Sequence, residues 1–260
     1  MSSPAWIAAS ATTALTAGGR RKAELVALPE GVPSLAELFT FARDAELRFD
    51  TLQMRIEDHV AGTRGDREQR IETTIRHPGE AKVVTTDPNQ GTAGNYDLWI
   101  SDGETVRTWS AQHAKGTQRP VRRRVVGLDD PDFPGSSTVY RPLTALAAES
   151  LPDAFVHPAG LCQNVLGTGQ TWISGTSEEA GREALVVTCD HPRSIGIAAD
   201  RPDHQLQVSF DRETGLILRL FETIAGGVTR DARVTSLTPN AQLTSATFHF
   251  AFPSGATLIY

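Results

Sequence analysis

Thr51-Leu52-Gln53-Met54-Arg55-Ile56-Glu57 alternates apolar and polar residues with a period of two, and this stretch decides the fold. Successive side chains on a strand point to opposite faces, so Leu52, Met54 and Ile56 line one buried face while Gln53, Arg55 and Glu57 meet water. The pattern returns downstream. Arg70–Arg76 turns Ile71, Thr73 and Ile75 inward, and Ala81–Thr86 follows the turn His77-Pro78-Gly79-Glu80. Tyr96–Ser101 and Thr105–Ser110 read as a hairpin closed at Ser101-Asp102-Gly103-Glu104, because Asp-Gly suits a tight reversing turn. Five strands joined by short turns predict an antiparallel meander.

Before the first strand, Ser34 and Glu37 have the spacing of a capping box, and Leu35, Leu38, Phe39 and Ala42 recur at helical spacing. A helix is expected over 33–48, preceded by a flexible lead-in over 1–32. Residues 111–140 read as a long irregular connection. Helical segments are expected in 141–166 around Leu143, Leu146 and Leu151, interrupted by Pro152 and Pro158. A second meander follows over 171–176, 182–189, 205–211, 216–224 and 229–237, with Gly215 placed for a left-handed residue. Phe248, Phe250 and Phe252 alternate, and a last strand is expected over 256–260.

About ten or eleven strands in two runs predict a mainly β chain, and a sheet of that size must curl. The expected fold is a half-open antiparallel β-barrel, a single domain over 33–260, with helices 33–48 and 141–166 as a lid. Greasy helix faces packed on the sheet leave room for an apolar cavity. Its candidate lining is Leu35, Leu38, Phe39, Leu143 and Leu146 from the lid and Leu52, Met54, Ile56, Ile71, Ile75, Leu98, Ile100, Leu206, Val208, Leu218 and Leu220 from the strands. The same residues could equally fill a solid core.

Composition narrows the function. A formal charge of −6 argues against general nucleic-acid binding, which needs a basic field. The basic run Arg119 to Arg124 reads as a solvated loop or strand edge, with anionic lipid or phosphate as the alternative. No stretch reaches the roughly 18 apolar residues of a transmembrane helix. The start lacks the positive residues that open a signal peptide, so the chain as written reads as cytoplasmic, with the cell envelope as the alternative if the start is misassigned. Cys162 and Cys189 allow one bridge or two buried thiols, and both readings stand.

Several phrases in order resemble the lipoprotein-carrier family of LolA/LolB type and its RseB-like sensor relatives. They are Arg48-Phe49-Asp50-Thr51-Leu52, Leu98-Trp99-Ile100-Ser101-Asp102-Gly103-Glu104, Gly181-Arg182-Glu183-Ala184-Leu185, Phe210-Asp211-Arg212-Glu213-Thr214-Gly215-Leu216 and Phe248-His249-Phe250-Ala251-Phe252. The resemblance covers roughly residues 34 to 260. It implies an unclosed LolA-like barrel with a helical lid, a cavity for acyl chains and no catalytic residues. A lipobox cysteine near the start is missing.

Chemistry is sparse elsewhere. The seven His show no H-x-x-x-H or H-x-H spacing, and Cys189-Asp190-His191 would point its side chains to opposite faces of a strand. Gly167-Thr168-Gly169 lacks the ending of a phosphate loop, and no G-x-S-x-G elbow occurs. A nucleophile pair of Cys162 with His157 or His191 is the remaining enzymatic option. The leading expectation is therefore a non-catalytic carrier, without cofactor, that binds the acyl chains of a lipid or lipoprotein. The alternative is a sensor-type module that docks a membrane or protein partner under lipid control.

Overall fold

The computed structural model describes residues 25–62, 65–90, 95–121, 142–192 and 201–259. Its centre is β1 (Thr51–Val60), the alternating stretch, whose Leu52, Met54, Ile56 and Asp58 are buried. On one side β1 pairs with β2 (Arg67–Arg76), followed in order by β3 (Glu80–Thr86), β4 (Tyr96–Asp102), β5 (Thr105–Ser110) and β6 (Lys115–Pro120). On its other side β1 pairs with β11 (Gly227–Pro239), followed outward by β10 (Ile217–Ile224), β9 (His204–Asp211), β8 (Arg182–Asp190) and β7 (Gln170–Glu179). A three-residue β12 (Thr257–Ile259) lies parallel to β6 at the far edge, and all other neighbours are antiparallel. The result is one twelve-stranded open sheet with β12 and β7 as its edges.

Local chemistry explains the turns. Gly103 takes a positive φ in the β4–β5 turn, and the Asp102 carboxylate accepts the N–H groups of Glu104 and Thr105 at 3.0 and 2.7 Å. Gly215 also has a positive φ, and a Cβ there would come within 3.1 Å of Ala42 and the Phe41 ring, so this turn seats directly on the first helix. Within the same turn, buried Asp211 accepts two hydrogen bonds from Arg182 and others from Thr214.

The described helices are shorter than expected. The first, α1 (Leu35–Arg43), has the capping box: Glu37 N–H donates to Ser34 Oγ, and Ser34 N–H donates to the Glu37 carboxylate. A 3-10 turn over Ala45–Arg48 completes the run to β1. The helical segments expected around Leu143 and Leu146 are absent, since residues 142–150 are bends, turns and irregular chain, and the one around Leu151 begins where Ser150 caps α2 (Leu151–Val156). Pro152 fits that first turn because it has no N–H to lose. The next helix, α3 (Ala159–Asn164), starts after Pro158. The lead-in end at 25–32 is held by Arg48, which donates to Val26 O, and by Arg212, which donates to Pro29 O and Gly31 O.

Twelve strands exceed the ten or eleven expected because β6 escapes the pattern. Lys115-Gly116-Thr117-Gln118-Arg119-Pro120 has no apolar alternation and is made a strand by pairing with β5. Arg119 of the basic run is exposed on this strand; Arg122, Arg123 and Arg124 lie outside the described residues.

The two faces carry different cores. The main one lies under the helices, where Leu38, Phe155, Val156 and Leu166 pack on Leu52, Ile75, Leu185, Val208 and Phe210. The reverse face holds a second cluster of Leu98, Ile100 and Trp109, covered by Phe250 and Phe252. Those two rings pack edge-to-face at 5.3 Å, and Phe252 lies 6.1 Å from Trp109. Gly116 makes room for this cover, since a Cβ would fall 2.4 Å from the Phe252 ring and 2.8 Å from Thr108 O. Replacing Gly116 by Ala therefore forces the ring off the sheet and should cost about 1–3 kcal/mol. Gly160→Ala is the control: it sits inside α3 with open space around its Cβ and should gain roughly 0.4–1 kcal/mol. Chemical denaturation of the two variants checks the opposite signs.

Candidate functional site

Cross-strand register shows which side chains share the helix-covered face. Thr73, Val83, Trp99, Thr108 and Thr117 stand in one row across β2 to β6, and Ile71, Thr85, Asp97, Ser110 and Lys115 stand in the next. Across β11 to β7 the equivalent rows are filled by α1, α2, α3 and the 3-10 turn Leu166–Thr168. Across β3 to β6, among the described residues, only the first turn of α2 and the segment before it lie over this face. A cavity of about 580 Å³ remains there, roofed by Ala147, Glu149, Ser150, Leu151 and Pro152. This volume is within the usual range for small-molecule sites.

The cavity is apolar within and polar at its rim. Ile71, Val83 and Leu151 are buried and form its inner wall with Trp99, while Asp97, Lys115 and Glu149 are exposed around it. At the β1 side Arg230 donates two hydrogen bonds to the buried Asp58 carboxylate at 2.8 and 3.0 Å, which neutralises the pair. The Trp99 indole N–H and the Thr73 hydroxyl, both on the inner row, are buried without a hydrogen-bond partner among the described residues. Leaving such a group unpaired costs about 1–3 kcal/mol, so this row is the part of the sheet that the protein's own packing leaves unfinished. Glu149 adds strain at the roof with φ of 62°, a conformation unfavourable for a residue with a Cβ.

Most of the expected lining fills the core instead. Leu38, Leu52, Met54, Ile56, Ile75, Leu146, Leu206, Val208, Leu218 and Leu220 are buried in the main cluster, and Leu35 and Phe39 pack against it. Ile71 lies on the cavity wall; Leu98 borders the cavity while packing in the reverse-face cluster. Ile100 is on the reverse face altogether, because Leu98-Trp99-Ile100 turns its middle residue toward the helices. Leu143 is half-buried, and its N–H donates to the Glu46 carboxylate at 2.9 and 3.1 Å.

The missed residues are Val83, Trp99, Thr108, Thr117, Asp58 and Arg230. One signal for Trp99 is present in the sequence: an unbroken apolar run in a strand marks burial on both faces, not alternation.

A buried polar cluster fastens the roof. His157 Nδ1 lies 3.0 Å from Asp153 Oδ1, and its Nε2 lies 3.4 Å from Glu46 Oε2. Burial opposes a charge on His157, but the hydrogen bonds to Asp153 and Glu46 outweigh it and raise the imidazole to about 9. The ring is thus an imidazolium between two carboxylates and not a general base. Burial pushes the Cys162 thiol up to about 12, so it is no nucleophile near neutral pH. Cys189 is raised in the same direction by burial, and both cysteines are free thiols. Among the described residues no group of three His, Cys, Asp or Glu could hold a metal ion, and no helix is long and apolar enough to cross a membrane.

The described residues thus form an open, almost wholly antiparallel sheet, covered by short helices over one half and bearing a cavity over the other. No protein-family model matches the chain, and no curated protein matches it. Solved structures similar in fold include MucB, 17% identical with a TM-score of 0.48, matched over 84% of this chain and 62% of MucB. The Pseudomonas aeruginosa MucA/MucB complex matches in the same way at 16% identity, with a TM-score of 0.47, over 84% of this chain and 61% of that one. The chain therefore spans less than two thirds of MucB. The Mycobacterium tuberculosis lipoprotein LppX is 12% identical, with a TM-score of 0.43 over 81% of this chain and 97% of LppX. A LolA-superfamily protein of Nitrosomonas europaea is 8% identical, with a TM-score of 0.35 over 84% of this chain and 99% of its own. These are likenesses of fold.

The His157 cluster has a checkable pH dependence. The pKa is raised on folding from an ordinary 6.5 to about 9. Its contribution is therefore complete below pH 6.5 and is lost as pH rises through about 9, on the order of 3 kcal/mol in all. The Tm of the protein should fall by several degrees from pH 7 to 9.5, and the His157→Gln variant, less stable at pH 7, should lack that fall.

Proposed function

We propose that the chain is a non-catalytic binding protein that shelters the acyl part of a lipid or lipoprotein in the cavity between β2–β6 and the 147–152 roof. One observation carries this reading: the described residues leave about 580 Å³ between β2–β6 and the 147–152 roof, over an apolar wall. Each CH₂ that leaves water for that wall gains roughly 0.8 kcal/mol, so a chain of a few carbons binds usefully without any special residue. The charged rim suits a polar head that remains in water. In this reading residues 33–260 act as one unit and need no cofactor.

The compartment that fits an acyl shelter is the cell envelope, where acylated molecules must cross water, and this replaces the cytoplasmic expectation. A second reading, a module that docks a protein partner, draws support from β7. Among the described residues that ten-residue edge strand has one side without a strand partner and an exposed Trp172, features that suit strand addition by an extended peptide.

Native mass spectrometry with lipid extraction tests the first reading. The purified protein should carry an acylated molecule or take up dansyl-labelled undecanoic acid. Thr108→Trp, which fills the hollow from a half-buried polar position, should weaken that uptake by on the order of tenfold. A bare mass and no uptake in the wild-type protein would move the assignment to protein docking.

A further inference from the structure

Among the described residues two walls border the cavity, and they are held very differently. The helical wall is anchored by Leu38, Phe155, Val156 and Leu166, none of which has any exposed surface, and by the buried Glu46–His157–Asp153 cluster. Lifting it would expose all of these at once. The wall at the β6 edge is β12, in which Thr257 and Ile259 are exposed and Leu258 is only half-buried. It is held by pairing of three residues: Thr257 with Lys115, Leu258 with Gly116 and Ile259 with Thr117.

Ile259 is 52% exposed and lines the cavity beside Lys115 and Thr117. Just before β12 the chain turns at Pro253-Ser254-Gly255, where Gly255 has φ of +87°. Before the turn, Phe252 is wedged over Gly116 against Trp109. Anchor, pivot and flap therefore follow one another within eight residues, 252–259.

We infer that β12 is the gate of the cavity: it swings about Pro253–Gly255 while Phe252 stays seated, and ligand enters past the β6 edge with the helices unmoved. The gate rests on the acyl-binding reading above, since it is the route to that cavity. Opening it breaks a few edge hydrogen bonds that water replaces and lifts only the half-buried Ala256 and Leu258, while Phe250 and Phe252 stay on the Leu98, Ile100 and Trp109 cluster.

The test is a staple. Thr117→Cys with Ile259→Cys joins a register pair, and the two native cysteines are buried thiols. In stopped flow, the oxidised full chain should take up dansyl-labelled undecanoic acid on the order of tenfold more slowly than the same protein after reduction. Equal rates in the two forms overturn the gate and leave the binding reading intact, whereas no uptake by the wild-type protein overturns both. A second measurement needs neither staple nor ligand. The amides of β12 should exchange with solvent well ahead of those in α1 and α2, and the reverse order would sink the gate.

Discussion

The whole architecture depends on β1 being paired on both sides. A single alternating strand receives β2 from one meander and β11 from the other, which makes one sheet out of two. Because directly paired residues share a face, the alternation in Leu52, Met54 and Ile56 sets which face is greasy for both halves. The core and the hollow are then two outcomes on that one face. Where short helices meet the sheet, side chains interlock; where the roof over 147–152 is thin, space is left.

The two halves also solve the problem of the reverse face in different ways. Across β8 to β10 it is mostly polar, with half-buried Gln205, Gln207, Arg219 and Phe221 beside buried Thr188, Ser209 and Asp211, and Arg219 pairs with Asp231. Across β4 and β5 it carries Leu98, Ile100 and Trp109, which need a cover, and the chain supplies Phe250 and Phe252. Half the sheet is thus a two-layer structure and the other half has apolar residues on both sides. This is why β4 reads as a continuous apolar run and β1 as a clean alternation.

That difference governs what was legible in the residues. Strand after strand could be placed from period-two alternation, and the capping box at Ser34 and the turns at Gly103 and Gly215 fall where their chemistry puts them. The strand β6 could not be read, because its residues carry no pattern and only pairing makes it a strand. The helical segments expected around Leu143 and Leu146 fail for a similar reason: the Leu143 N–H donates to Glu46 from a distant part of the chain, a tertiary contact that apolar spacing over a short run does not reveal. The location of the hollow was the least legible feature. Alternation tells which face a leucine takes but not whether a helix lies above it, so Leu38, Val208 and Leu220 read as lining when they are packed core.

The closure of the sheet at β1 has a consequence for how the chain reaches its native state. Asp50 N–H donates to the side chain of Asn240, 190 residues further on, and the β1–β11 ladder starts beside that contact. Pairings so distant in sequence are slow to form, since the loop they close must be ordered before any bond is gained. During synthesis the first meander is complete long before Phe250 and Phe252 emerge, so Leu98, Ile100 and Trp109 face water on a nascent chain. That window of exposed apolar sheet is when self-association of the chain is most favourable.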